Sequence, residues 1–213
     1  MGVQNSRDLL AAVHGQAIED LLELVSGFYS NIEDGLFELA HRSGESAQQE
    51  RAFNLMRELR FRRTVLINNF TGALASCDKY WWSENGWQLD ESELEPSVSA
   101  SIAVLCDKAN NHFGPVLRLI RERRDGALSL DSPGELLPIS PRAICIGFVQ
   151  SCRALKMDQP SLDLVLNLFG RFVLDRLGGL YARCNETLKR SGWVSRAEFE
   201  AEAAALGLAT VPA

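Results

Sequence analysis

Apolar residues recur at intervals of three and four over most of the chain, which is the spacing that buries one face of an α-helix. The first row begins after Ser6 and ends near Gly27. Its members are Leu10, Val13, Ala17, Leu21, Leu24 and Phe28. A second row, from Ile32 to Ala40, stops at the Ser43-Gly44 break, because glycine is typical of a helix end. Two helices are therefore predicted here, the first ending near Gly27.

A third helix is predicted where the apolar row skips a position at Arg62 and Arg63. The row consists of Leu55, Leu59, Leu66, Phe70 and Leu74. Because an arginine stands where the row should continue, at least one guanidinium should lie at the edge of the core, where a charge needs a partner. The next stretch, residues 77–96, loses the helical period. It is the predicted boundary between an N-terminal helical part, residues 1–76, and a C-terminal one, residues 97–213.

Helical spacing resumes at Val98 and meets Gly114-Pro115, where a proline should kink or end the helix. A second long loop is predicted around residues 133–141. Ser140 followed by Pro141 has the chemistry of an N-cap and a first helical turn. A further helix is therefore expected to begin at that point.

The clearest helical row runs without interruption from Gln159-Pro160 to Gly192. Its members step by three and four and are Leu162, Leu166, Phe169, Val173, Leu177, Leu180, Cys184 and Leu188. We predict one long central helix, which Gly192 ends. After it, Ser195-Arg-Ala-Glu198 matches a capping box that opens a last short helix.

No convincing stretch alternates between apolar and polar residues, and no repeat of fixed period is present. The sequence therefore predicts an all-α fold, an irregular array of about seven to nine helices with no significant sheet. The two helical parts are expected to pack together as one unit.

Composition narrows the classes of partner. The chain has 213 residues, of which 46% are apolar and 23% charged, and its net charge of −6 makes nucleic acid an unlikely partner. The longest apolar runs are too short for a membrane span or a signal peptide. Five cysteines without CxxC spacing indicate reduced core thiols and a cytoplasmic location.

The histidines give no indication of a metal or catalytic centre. His14, His41 and His112 lie on different predicted elements and form neither HxxxH nor HExxH spacing. We interpret them as polar residues on helix surfaces. No catalytic residue, metal ligand or cofactor is assigned, although a Cys-His pair that meets only in space would leave no local signature.

Arginines form two groups that suggest binding sites for anions. Arg57, Arg60 and Arg63 follow one another along the third helix, where they either pair with Glu33, Asp34 or Glu38 of a neighbouring helix, remain solvated, or bind an anion. The second group, which includes Arg121 and Arg124, precedes Asp125-Gly126. It either matches the dipole at a helix C-terminus or converges with the first group on an anionic ligand such as a cyclic dinucleotide.

Three tryptophans lie in the predicted boundary segment. Trp81, Trp82 and Trp87 stand beside the acidic run from Asp90 to Glu95. Tryptophan is enriched where one protein anchors on another. These residues therefore either form a partner-binding patch or fold back to cover the helix ends.

Two blocks of sequence resemble a known family. The first is Asn31-Ile-Glu-Asp-Gly-Leu-Phe-Glu-Leu-Ala40 with Gln49, Phe53 and Met56-Arg-Glu-Leu-Arg60. The second is Leu89-Asp-Glu-Ser-Glu-Leu-Glu95, Lys108-Ala109, Leu168-Phe169 through Leu180-Tyr181, and Asn185 to Gly192. In this order, over residues 28–194, they resemble the N-terminal region of a bacterial family known as domain of unknown function 1631.

The resemblance implies a helical fold and transfers no catalytic residue. Members of that family are usually longer, so the chain is expected to be a short relative or a fragment. Some members have carried a thymidine phosphorylase label, which no Gly-rich phosphate loop or α/β alternation supports here.

From these observations we predict a non-enzymatic helical interaction or regulatory module of a bacterial cytoplasmic protein. Its expected partner is another protein or a second copy of the chain, and the contact surfaces are the arginine-rich helix and the aromatic loop. The alternative is a sensor domain that binds an anionic nucleotide, such as a cyclic dinucleotide, through Arg57, Arg60, Arg63, Arg121 and Arg124.

Overall fold

The computed structural model describes residues 3–82, 94–128, 136–195 and 198. Every regular element in those ranges is helical, which confirms the all-α class. The α-helices are α1 (Val3–Ser43), α2 (Ser46–Ala75), α3 (Pro96–Leu128), α4 (Pro141–Cys152), α5 (Gln159–Phe172) and α6 (Gly178–Arg190). Short 3-10 turns cover Asp78–Trp81, Arg153–Leu155 and Leu174–Arg176.

The described residues form six α-helices, so the prediction of seven to nine was too high. The two helices predicted before Gly44 are one helix, α1, which continues through Gly27. Val25, Phe28 and Ile32 are all buried, so the apolar face is continuous across the glycine. One Gly costs a helix only about 1 kcal/mol, which the burial of this face outweighs.

Helix α3 likewise continues through Pro115 to Leu128. A proline inside a helix frees the carbonyl four residues earlier, here that of Asn111. Both residues are exposed, so water can satisfy that carbonyl and the helix need not end.

The long helix predicted from Gln159 to Gly192 is broken into α5 and α6. A 3-10 turn separates them and keeps Val173, Leu174 and Leu177 buried. Because the turn preserves the apolar spacing, the sequence pattern does not reveal it. The Gly178-Gly179 pair, which is a poor helix former, stands where α6 begins.

The predicted helix caps are present. Ser140 accepts a hydrogen bond from the amide of Ala143, and Pro141 occupies the first turn of α4. Ser195 and Glu198 form the predicted capping box, in which the amide of each donates to the side chain of the other. Local polar spacing therefore predicted the start of α4 and the bonds of the capping box correctly, while most of the helix expected after Ser195 lies outside the described residues.

Phenylalanines from four helices meet in the core. The rings of Phe148 and Phe169 stack with their centroids 3.9 Å apart, and Phe28 approaches both edge-on. Phe70 completes the group through Phe169. Helices α1, α2, α4 and α5 therefore share one aromatic cluster.

All five cysteines are free and buried, as predicted. Within the described ranges, no helix has both the length and the apolar character that a membrane crossing requires.

Candidate functional site

Helix α2 packs antiparallel against α1, and the first arginine group lies along this contact. Arg60 donates hydrogen bonds to both carboxylate oxygens of Glu33, one of them 2.7 Å long. These bonds lower the pKa of Glu33. The predicted pairing of an arginine on α2 with Glu33 is therefore confirmed.

Arg63 occupies the position where the apolar row skips. It is half-buried, and its guanidinium donates to the carbonyl of Ser26 at 3.2 Å and to the hydroxyl of Ser30 at 3.0 Å. A guanidinium does lie at the edge of the core, but its partners are neutral oxygens. Arg62 lies outside and approaches Glu58 of its own helix at 3.4 Å.

Arg57 differs from its neighbours because it is exposed and forms no ion pair within the residues that the structure describes. It lies four residues from both Phe53 and Phe61, which places all three on one side of α2. The side chain of Arg57 is therefore available to a ligand or a partner.

The outer face of α2 exposes large apolar residues around Arg57. Phe61 is 87% exposed, Val65 56% and Phe53 51%. With Arg57, these residues form a row at intervals of four, which we call the outer row. Exposed clusters of large apolar side chains mark interaction sites in soluble proteins.

Helix α1 adds an aromatic residue beside this row. Phe37 is 49% exposed and stacks on His41, with the ring centroids 5.3 Å apart. Since Phe37 follows Glu33 by one helical turn, and Glu33 bonds Arg60, the exposed sides of α1 and α2 adjoin there.

Two arginines of the second group, Arg123 and Arg124 on α3, are bound within the fold. Arg124 is buried and its guanidinium lies 2.7 Å from the carboxylate of Asp125. Burial lowers the pKa of Arg124 and raises that of Asp125. Arg121 is half-buried near this pair. Because α3 extends to Leu128, no arginine lies in its last turn, and the predicted match to the helix dipole was wrong.

Arg123 is also buried and anchors the C-terminal end of the described chain. It donates to the side chain of Asn185 at 2.9 Å, the carbonyl of Trp193 and, at 2.7 Å, the carboxylate of Glu198. The arginine groups therefore do not converge on one site: Arg60 and Arg63 bond α1, whereas Arg123 bonds α6 and the segment after it. Arg124 pairs with its neighbour in α3.

Trp81 folds into the core. Its Nε1 donates to Nδ1 of His14 at 3.1 Å, and Nε2 of His14 bonds the carbonyl of Leu74 at 2.9 Å. The interpretation of His14 as a surface residue was wrong, because these two bonds allow it to be buried. Trp82 is half-buried against the core, and Trp87 lies outside the described residues.

A surface cavity of about 500 Å³ opens beside the N-terminal half of α2. Charged side chains of both signs line it, and Arg51 approaches Asp158 at 3.6 Å. These charges offset one another, so the cavity does not select an anion. Arg57, Arg60 and Arg63 do not line it.

Sequence reasoning identified Arg57 but missed the apolar residues beside it. Phe53, Phe61 and Val65 fall outside the buried row of α2. The sequence did contain a signal for them, because large apolar residues that lie off the buried row are expected on the exposed side of the helix.

The histidines and cysteines of the described ranges form no group of three or more ligands that fits a metal ion. Comparison with known proteins gave one match. A family model described as the N-terminal domain of proteins of unknown function, DUF1631, matches residues 5–77 and 89–192. Neither a curated protein nor a solved structure matches. The family match covers most of the chain and agrees with the resemblance in its sequence, so the chain belongs to the DUF1631 family.

Proposed function

We propose that this chain is a non-enzymatic helical interaction module that binds another protein through the outer face of α2. The observation that carries the proposal is the outer row itself. Phe61, at 87% exposed, is the least buried of the large apolar residues in the described ranges. Full burial of a phenylalanine side chain stabilises by about 1.5–3 kcal/mol, so a partner that covers the row gains substantially.

The arginine within the row supports the same proposal. Aromatic residues and arginine are enriched among the side chains that dominate binding energy at protein interfaces. Arg57 stands between Phe53 and Phe61 without an ion pair in the described ranges, so it loses no internal partner when another protein binds.

A sensor for an anionic nucleotide has less support. Arg60 is already bonded to Glu33, and Arg124 is buried against Asp125. The carboxylates already offset both charges, which weakens their attraction for a phosphate. Thermal unfolding with cyclic dinucleotides tests this alternative, because a ligand at 100 times its Kd adds about 2.7 kcal/mol to the free energy of unfolding.

Site-specific photo-crosslinking tests the proposed function. A photoreactive phenylalanine analogue replaces Phe61 in one variant and Val104 in the control. Val104 is an apolar residue on α3 that is 71% exposed. The proposal expects discrete cross-linked products in native cells from position 61 and none of the same size from position 104. Identical products from both positions, or none from position 61, would contradict it.

A further inference from the structure

We infer that the outer face of α2 binds an acidic amphipathic helix of its partner protein. The inference rests on the function proposed above and adds the chemical class of the partner. Three features support it, namely the uncompensated charge of the face, the spacing of its apolar residues, and the adjoining surface of α1.

Positive charge on this face is only partly compensated. Four arginines lie between residues 57 and 63, whereas residues 59–77 contain no aspartate or glutamate. Glu33 compensates Arg60 and Glu58 compensates Arg62. Arg57 has no carboxylate partner in the described ranges. Arg63 turns towards α1 at the edge of this face and bonds only the neutral oxygens of Ser26 and Ser30. On a chain with a net charge of −6, this face is locally basic and complements an acidic surface.

The shape of the face fits a helix. Phe53, Phe61 and Val65 span twelve positions of α2, which correspond to about 18 Å at 1.5 Å per residue. A helix of three to four turns covers that length. Phe37 of α1 is also exposed and lies one helical turn from Glu33, which bonds Arg60, so it adds an apolar side chain to the surface that a third helix would cover.

Charge argues against a second copy of the chain on this face. A contact between two copies of the same face would bring two sets of the same arginines into one interface, and residues 59–77 supply no carboxylate to offset them. An acidic helix neutralises the arginines and covers the apolar row at the same time.

Synthetic peptides of about 15 residues provide the probe, a length that forms about four helical turns. The first peptide has leucines at helical spacing with glutamates beside them. The second replaces glutamate with lysine, and the third scrambles the order of the first. Binding of each labelled peptide to the whole chain is measured by fluorescence anisotropy. The acidic amphipathic peptide should bind at least about tenfold more tightly than either of the others, and added salt should weaken it.

Matched variants locate the binding. Arg57→Glu and Phe61→Ser should each weaken the acidic peptide about tenfold or more. Their controls lie on α3, where Arg118→Glu makes the same change of charge and Val104→Ser the same change of polarity at exposed positions. These controls should leave the affinity unchanged within about twofold. All four positions are exposed, and far-UV circular dichroism verifies that each variant is folded.

Several results would overturn the inference. Equal binding of the scrambled peptide, or equal weakening by Arg118→Glu and Arg57→Glu, would show general attraction of charge without a helix site. Tighter binding of a single-stranded oligonucleotide that displaces the peptide would identify a nucleic-acid surface. Concentration-dependent dimerisation that Phe61→Ser abolishes would identify a second copy as the occupant. If cross-linking at position 61 persists while the acidic peptide fails to bind, the proposed function stands and only the partner class is wrong.

Discussion

Replacing Trp81 with phenylalanine tests whether its indole ties the segment after α2 to the helices beneath it. The indole Nε1 donates to His14, and His14 in turn bonds the carbonyl of Leu74. These two buried hydrogen bonds join the segment that holds Trp81 to α1, which holds His14, and to α2, which holds Leu74. Trp81→Phe keeps an aromatic ring at the position but removes the donor.

The magnitude follows from the two nitrogens of His14. Neutral histidine has one donor and one acceptor nitrogen, and here the donor faces Leu74 and the acceptor faces Trp81. Without the indole, the tautomer that keeps the bond to Leu74 leaves Nδ1 of His14 buried and unsatisfied, which costs about 1–3 kcal/mol, and the other tautomer leaves more than one atom unsatisfied. The smaller ring leaves a void that adds about 1 kcal/mol. The expected loss in the free energy of unfolding is about 2–4 kcal/mol.

Urea unfolding followed by far-UV circular dichroism measures this loss without depending on tryptophan fluorescence. Trp82→Phe is the matched control, because Trp82 is only half-buried. It should cost less than about 1 kcal/mol. A double-mutant cycle with His14→Leu then isolates the interaction between the two side chains.

The double variant should be more stable than the sum of the single losses predicts, by about 1–3 kcal/mol, because it removes both polar partners together. Either of two outcomes would refute the reasoning. One is an equal loss of unfolding free energy in Trp81→Phe and Trp82→Phe. The other is a double variant whose loss equals the sum of those of Trp81→Phe and His14→Leu to within about 0.5 kcal/mol.

Three further predictions concern other parts of the fold. Burial lowers the pKa of His14 below its usual 6.5. The stability that the neutral form contributes is therefore present above pH 6.5 and is lost as the pH falls through the lowered value. Urea unfolding should show this decline, at most about 1.4 kcal/mol per pH unit, and His14→Leu should remove that contribution. The bonds from Arg123 and Ser195 lower the pKa of Glu198 to about 2. Glu198→Ala at neutral pH should therefore speed hydrogen exchange of the Ser195 amide, which donates to Glu198, and protonation as the pH falls towards 2 should reduce the protection of that amide relative to its intrinsic exchange rate at the same pH. Unchanged protection in both cases would count against the anchor. A Cβ at Gly35 would lie 2.9 Å from Leu168, whereas one at Gly27 meets nothing within 4 Å. Gly27→Ala should therefore stabilise α1 by about 0.5–1 kcal/mol. Chemical unfolding should show that Gly35→Ala is less stable than Gly27→Ala by about 1 kcal/mol or more.

Helical class and several caps could be predicted from the sequence because both depend on local chemistry. The apolar spacing identified α2, and Ser140 marked the start of α4 through its own hydrogen bond. Ser195 and Glu198 formed the predicted capping box because each bonds the other locally. Helix ends could not be predicted as well. Gly27 lies within α1, while the break between α5 and α6 carries an apolar row as regular as that of a continuous helix.

The arginines show how far the spacing argument extends to the candidate site. The skipped position correctly indicated a guanidinium at the edge of the core, and Glu33 was correctly named as a partner on the neighbouring helix. The burial of Arg123 and Arg124 was not predicted. Their partners include Asn185, Trp193 and Asp125, and the first two lie more than sixty residues away in sequence.

The outer row was missed for a different physical reason. An apolar row predicts which side of a helix is buried, but it does not predict how much of the other side neighbouring elements cover. On α2, Phe61 and Arg57 share a side that stays exposed in the described structure, whereas Arg63 turns inward to neutral oxygens of α1. Of the arginines proposed from sequence, Arg57 is therefore the one that combines exposure, freedom from an internal ion pair and exposed aromatic neighbours. That combination makes Arg57 and Phe61 the residues to change first.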